Sequence, residues 1–148
     1  MNEMPFDPAK FSQKYNEARE RLREGVGGLL LRADGCICAV SRKTDRADLG
    51  LPGGSVESGE NTGMALRREL REELGIEVGG YHRLFAAPDP SGFWFVTCLV
   101  LDFVGEPHDA ENKGAAVVWV PPARLLDKSC SFRAYNEDLF RFLGLKRF

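Results

Sequence analysis

Histidine and cysteine are scarce in this chain, with two of the first and four of the second among 148 residues. Cys36, Cys38, Cys98 and Cys130 form no C-x-x-C pair, which argues against a zinc site. Cys36 and Cys38 lie two apart in a strand-like run, share a face and cannot easily bridge, so the four read as reduced, mostly buried thiols. No excess of either charge is present: Lys+Arg 20 against Asp+Glu 22 gives −2, and no global pull toward nucleic acid or an anionic membrane follows. No apolar run is long enough to span a bilayer as a helix, the longest being Phe93 to Leu101. Met1 to Lys10 carries Glu3 and Asp7 and does not read as a signal peptide, so the cytoplasm is the default setting. Repeats, low-complexity tracts and linkers are also lacking, and the length suits one domain, 1–148, with residues 1–24 as a helical extension.

What is present is a mixture of helical and strand periodicities. Asp7-Pro8 opens a helix, with Phe11, Tyr15, Ala18 and Leu22 at helical spacing and an end near Glu24-Gly25. That apolar stripe suits packing on its own domain or on a second copy in a homodimer. Val26 to Arg32 and Cys36 to Ser41 read as strands joined by an Asp34-Gly35 hairpin turn, followed by a polar loop, Lys43 to Asp48. A helix is expected over Thr62 to Leu74, stopping at Gly75. Val78 to Ala87 looks extended but irregular, and Phe93 to Val104 is the strongest strand. Ala115 to Val120 is another strand, Ala123 to Leu126 a helical turn, and Ala134 to Leu143 a last helix with Leu139, Phe142 and Leu143 as its apolar face. The fold class expected is α/β (α+β), a sandwich of helices on a mixed sheet, plus the N-terminal helix.

Chemistry concentrates in Gly53 to Ile76. On a helix of 3.6 residues per turn, Leu66, Leu70 and Leu74 form one stripe, Arg67, Arg68 and Arg71 a second, and Glu69, Glu72 and Glu73 a third. Three neighbouring carboxylates repel one another, and a hard divalent cation, Mg²⁺ or Mn²⁺, relieves that conflict with oxygen ligands. On the helix alone, an acidic face balanced by arginines explains the pattern equally well. The preceding loop favours the metal, since Gly53-Gly54 lets backbone approach a ligand and Glu60 is placed to fold back on Arg68.

Gly54, Glu60 and Arg68-Glu69-Leu70-Arg71-Glu72-Glu73-Leu74-Gly75-Ile76 match the pattern G-x5-E-x7-R-E-U-x-E-E-x-G-U, with U a bulky aliphatic, at all nine defined positions over 23 residues. This stretch resembles the Nudix box, and the wider likeness covers about Val26 to Val120. The resemblance implies a Nudix fold and metal-dependent hydrolysis of a nucleoside diphosphate linked to another group X. It implies that Glu72 and Glu73 are principal metal ligands, that Glu69 is a further ligand or the general base, and that the Gly53 carbonyl is a backbone ligand. Arg68 and Glu60 would be the ion pair that positions Glu69. No covalent nucleophile is needed, and His82 and His108 read as surface or loop residues.

Residues outside the box bear on X. The segment Gly105 to Glu111 resembles a loop of MutT-like nucleoside triphosphate pyrophosphohydrolases that sends a glutamate to the metal site, here Glu111; the alternative is a solvated loop carboxylate. By the same likeness Asn136 would bond a purine edge, or else serve the first turn of the last helix. Arg42 is placed to hold a phosphate. Phe93, Trp94 and Phe95 alternate across a strand, so one face could stack a base, though packing of all three in the core is the simpler reading. The expected substrate is a small nucleotide, most simply a nucleoside triphosphate cut to monophosphate and pyrophosphate. Pro88 and Pro90, 12 and 14 residues beyond Ile76, point instead to an ADP-ribose or nucleotide-sugar pyrophosphatase. A non-catalytic nucleotide sensor is the third reading, and the intact glutamates oppose it.

Overall fold

The computed structural model describes residues 22–145, together with Ala9, Gln13, Asn16 and Glu17. Those four are helical, with Gln13 Nε2 donating to Glu17 Oε1 at 3.1 Å; most of the expected first helix, Phe11, Tyr15 and Ala18 included, lies outside the described residues. By Arg23 the chain is already in a strand, so a helix reaching Glu24-Gly25 is corrected.

The central sheet is mixed, in the order β4-β1-β7-β6. Its strands are β1 (Arg23–Leu29), β4 (Gly53–Ser55), β6 (Tyr81–Pro88) and β7 (Phe93–Val100). β1 runs parallel to β7 and antiparallel to β4. A second sheet holds β3 (Asp45–Gly50), β2 (Ile37–Arg42) and β9 (Val117–Val120). A two-stranded ladder joins β5 (Glu77–Val78) to β8 (Phe103–Val104). Two helices complete the described fold, α1 (Thr62–Leu74) and α2 (Arg133–Phe142), with a 3-10 turn at Pro122–Leu126.

Strand alternation explains the layering. One core gathers Val26, Trp94, Val96 and Cys98 with Leu66, Leu70 and Leu74 of α1. The other gathers Leu29, Ile37 and Phe95 with Tyr135, Leu139 and Phe140 of α2. Successive residues of one strand thus feed opposite cores, and the sheet lies between helices as expected.

Several local expectations change. The Lys43 to Asp48 segment is not a loop: Asp45–Gly50 is an edge strand paired with β2. Its polar residues face water and only Leu49 is buried, so no apolar alternation marked it. The Asp34-Gly35 turn exists, with Arg32 N donating to Cys36 O at 2.9 Å. Beyond a single Leu31–Ile37 bridge, however, the flanking strands part into different sheets. The long strand breaks after Val100, where Asp102 turns to accept from Gly80 N at 2.7 Å. In α2 the buried face is Tyr135, Asn136, Leu139 and Phe140, while Phe142 is 59% exposed and Leu143 36%. Among the described residues, no helix is long and apolar enough to cross a membrane.

All four cysteines are free; Cys36 is half-buried and the other three are buried. Burial pushes the Cys38 thiol up to about 12 and Cys98 up to about 11, and the thiolate is the reactive form. A disulfide-exchange reagent at pH 8 is therefore expected to titrate Cys36 rapidly in the native protein and all four thiols only after unfolding. Fast reaction of Cys38, Cys98 or Cys130 would contradict the packing described.

Candidate active site

Helix α1 begins where Asn61 caps it, its side chain accepting from Met64 N at 2.8 Å. It ends at Gly75, whose φ of 70° is left-handed. A side chain at Gly75 would also meet the His108 ring at 2.4 Å. Between these ends Leu66, Leu70 and Leu74 are fully buried, which fixes the rotation of the helix and sends Glu69 and Glu73 toward β4.

Arg68 ties the helix to the loop before it. Its Nε and Nη2 form a fork on Glu60 at 2.8 and 2.9 Å. Nη2 also donates to Ser55 O at 2.9 Å, and Nη1 reaches Glu69 at 3.0 Å and Glu72 at 3.2 Å. Glu60 is held below its ordinary value by this guanidinium, which is itself held above its own. The expected Glu60–Arg68 pair is thus present, together with the i,i+4 pair to Glu72.

The carboxylates answer to their surroundings. Burial raises Glu69, with Arg68 opposing and Glu72 and Glu111 adding like charge. Burial pushes Glu73 up to about 7, opposed by the Gly53 N–H that donates to its Oε1 at 2.9 Å, with Glu69 and Glu111 again adding like charge. Glycine at position 54 leaves room for the Glu69 side chain, since a Cβ there would lie 2.4 Å from its carboxyl carbon.

Glu111 reaches the same place because its loop hangs on the end of α1. His108 N donates to Leu74 O, and Ala110 N to Glu73 O, both at 3.1 Å. Glu111 then lines a charged cleft with Glu73, Asp109, Lys113, Lys43 and Arg42, and pairs with Lys113 at 3.2 Å.

Four carboxylates and a backbone carbonyl supply only hard oxygen donors, a set that fits Mg²⁺ or Mn²⁺. Among the described residues no three of these side chains converge as a finished cage. Glu69 and Glu72 lean on Arg68, and Glu73 leans on the Gly53 N–H.

A second lobe, of about 280 Å³, opens beside the first and shares Val40, Ser41, Arg42 and Glu73 with it. Phe93, Phe95 and Phe132 form apolar walls, and Asp48, Asp89, Ser91 and Ser131 add polar groups. Arg42 donates to Asp48 at 2.9 Å and to Ser131 Oγ at 3.3 Å. Phe93 and Phe95 face this lobe while Trp94 is buried in the core beside α1, as strand alternation requires. Asn136 does not line either lobe: it is buried in α2 and donates to Leu125 O at 3.2 Å. His82 is exposed, and His108 packs on Gly75. Sequence reasoning missed Asp48, Asp89, Ser91 and Ser131, which lie at strand ends and turns with no spacing to mark them.

Replacing Arg68 by alanine leaves Glu60 and Glu69 without their shared cation in a half-buried setting. We expect a loss of about 2–4 kcal/mol in urea unfolding, with Arg68→Lys restoring only part of it, because lysine has no fork. Equal stability of the alanine variant and the parent would show that the pair does not hold the loop.

Comparison with known proteins agrees with this geometry. The NUDIX domain family model matches residues 21–139. A Mycobacterium tuberculosis protein named "Putative 8-oxo-dGTP diphosphatase 2" is 34% identical over 129 residues, covering 80% of this chain and 89% of that one. An ADP-ribose pyrophosphatase of Methanocaldococcus jannaschii is 32% identical over 82 residues, covering 51% of this chain and 48% of that one. A solved MutT structure, from work on the Aliivibrio salmonicida and Vibrio cholerae proteins, superposes with a TM-score of 0.66 at 28% identity, covering 87% of this chain and 99% of that one. With the family model matching most of its length and its box complete, the chain belongs to the Nudix hydrolase family.

Proposed function

We propose that this hydrolase cuts a nucleoside triphosphate to the monophosphate and pyrophosphate, with Mg²⁺ as the working cation and Mn²⁺ as a substitute. The observation that carries the proposal is the joined cleft: an aromatic lobe of a size to enclose a base opens into a charged lobe through Arg42 and Glu73. The similarity to the mycobacterial protein, which spans most of both chains, supports the same reading.

The residues divide the work. Glu69, Glu72, Glu73, Glu111 and the Gly53 carbonyl would hold the cation, which when bound neutralises phosphate charge and acidifies a water. Arg42, Lys43 and Lys113 face the polyphosphate with positive charge. A carboxylate takes the proton as water attacks phosphorus and the P–O bond between the α- and β-phosphoryl groups breaks, the displaced group leaving on the bridging oxygen. Glu69 and Glu111 are the candidates for that base. Glu69 is held in place by Arg68 and, through burial, binds a proton more readily than an ordinary carboxylate.

A second reading, hydrolysis of ADP-ribose or a nucleotide sugar, draws on the 82-residue similarity to the archaeal enzyme and on Pro88 and Pro90, which flank a residue of the cleft wall.

A panel of ordinary and oxidised nucleoside triphosphates, ADP-ribose and nucleotide sugars, incubated with Mg²⁺ and resolved by mass, tests both. Monophosphate plus pyrophosphate from triphosphates is expected, and turnover of ADP-ribose or sugars alone would transfer the assignment to the second reading. Tight binding without product would indicate a sensor. Glu73→Gln is expected to abolish turnover. Gly54→Ala should lower kcat by roughly 100-fold with little change in Tm, since the new methyl displaces only the flexible end of Glu69 by about 1 Å.

A further inference from the structure

The turn between β6 and β7 carries a carboxylate with an unused oxygen. Asp89 is 8% exposed. Three donors converge on its Oδ1: Ser91 N at 2.9 Å, Ser91 Oγ at 2.8 Å and Phe93 N at 2.9 Å. The backbone fixes it further, Asp89 N donating to Phe93 O at 2.9 Å and Gly92 N to Asp89 O at 3.2 Å. Its other oxygen, Oδ2, is shielded from water and has no hydrogen-bond partner among the described residues. Tyr135, whose phenol is raised chiefly by burial and further by the Asp89 charge, cannot supply one, because its hydroxyl donates to Phe95 O at 3.0 Å.

A buried acceptor left unmade costs about 1–3 kcal/mol, so such a group calls for a donor from elsewhere. Asp89 lies on the wall of the aromatic lobe beside Phe93 and Phe95. The Ser91 hydroxyl hydrogen already points to Oδ1, so that part of the wall offers a ligand lone pairs only.

We propose that Asp89 reads the substrate's nucleobase: entry of the base uncovers Oδ2, which then accepts a hydrogen bond from an exocyclic amino group while Phe93 and Phe95 enclose the ring. The inference rests on the nucleotide reading above, and extends it to a base class: those presenting an amino donor where Asp89 stands. A base with a bare carbon at that place gains no such bond and binds more weakly, and one with a carbonyl there also meets lone-pair repulsion.

The test uses nucleoside 5′-monophosphates, whose binding needs no hydrolysis, in pairs that differ by the amino group: AMP with purine riboside monophosphate, GMP with IMP, and CMP with 2-pyrimidinone riboside monophosphate. Calorimetric titration of the intact protein is expected to show at least one pair in which the amino form binds roughly tenfold or more tightly. In Asp89→Asn the donors from Ser91 and Phe93 hold the amide oxygen at the Oδ1 place and put an N–H at the Oδ2 place. The preference should therefore turn toward bases with a carbonyl in place of the amino group, IMP over AMP, XMP over GMP or UMP over CMP, for whichever pair separates in the parent. Pairs that all agree within threefold in the parent protein would overturn the proposal, and this comparison needs no variant. So would an Asp89→Asn protein that weakens both members of a pair alike. If the pairs separate but no triphosphate is cut, Asp89 stands and the assigned reaction fails; if triphosphates are cut and the pairs do not separate, the reverse holds.

Discussion

The site depends on one guanidinium. Arg68 binds Glu60 through a fork, takes the Ser55 carbonyl, and touches Glu69 and Glu72 on its own helix. A loop of glycines and polar residues has no core of its own to hold it, and this cation supplies what packing does not. It does so at the place where carboxylates crowd, so it also offsets part of their mutual repulsion. Remove that bond set and the loop between β4 and α1 loses its tie to the helix, and Glu69 loses the cation that holds it.

The end of the same helix performs a second task. The carbonyls of a last turn lack partners within the helix. Here two of them, on Glu73 and Leu74, accept from Ala110 and His108, so the unsatisfied end becomes the anchor of a loop some thirty-five residues later. Glu111 arrives beside Glu73 by this route. The two halves of the charged lobe are therefore indexed to each other through backbone, and a side-chain change in the loop need not disturb its path.

Much of this was legible from residue pattern. The leucine stripe set the buried face of α1, and with it the glutamates; the Glu60–Arg68 pair followed from their spacing. For Phe93-Trp94-Phe95 core packing of all three is the simpler reading; the structure buries Trp94 beside α1 and sets Phe93 and Phe95 on the cleft wall, the other outcome that alternation allows. Three kinds of feature were not legible. Edge strand β3 is polar on nearly every residue, because water covers it, and so carries no periodic signal. The buried face of α2 is a tertiary matter: Tyr135 packs on Phe85 and Phe95, whereas Phe142 touches Phe85 and still stays 59% exposed. Asn136, expected at a base from resemblance alone, supports the Leu125 carbonyl, whereas Asp89 sits on the cleft wall between the two prolines that in the sequence bear only on substrate class.

The parallel pairing of β1 with β7 has a consequence for how the chain reaches this state. Arg23 meets Phe93, 70 positions later. Loop, helix and hairpin between them involve near neighbours and can form early, but the centre of the sheet closes only when that long loop does. Its closure entropy must be met before either core is complete. The acidic helix is therefore a local structure whose platform is non-local. Folding should be limited by the sheet rather than by the box, and a chain halted before that step would hold its acidic helix without the two-lobed cleft.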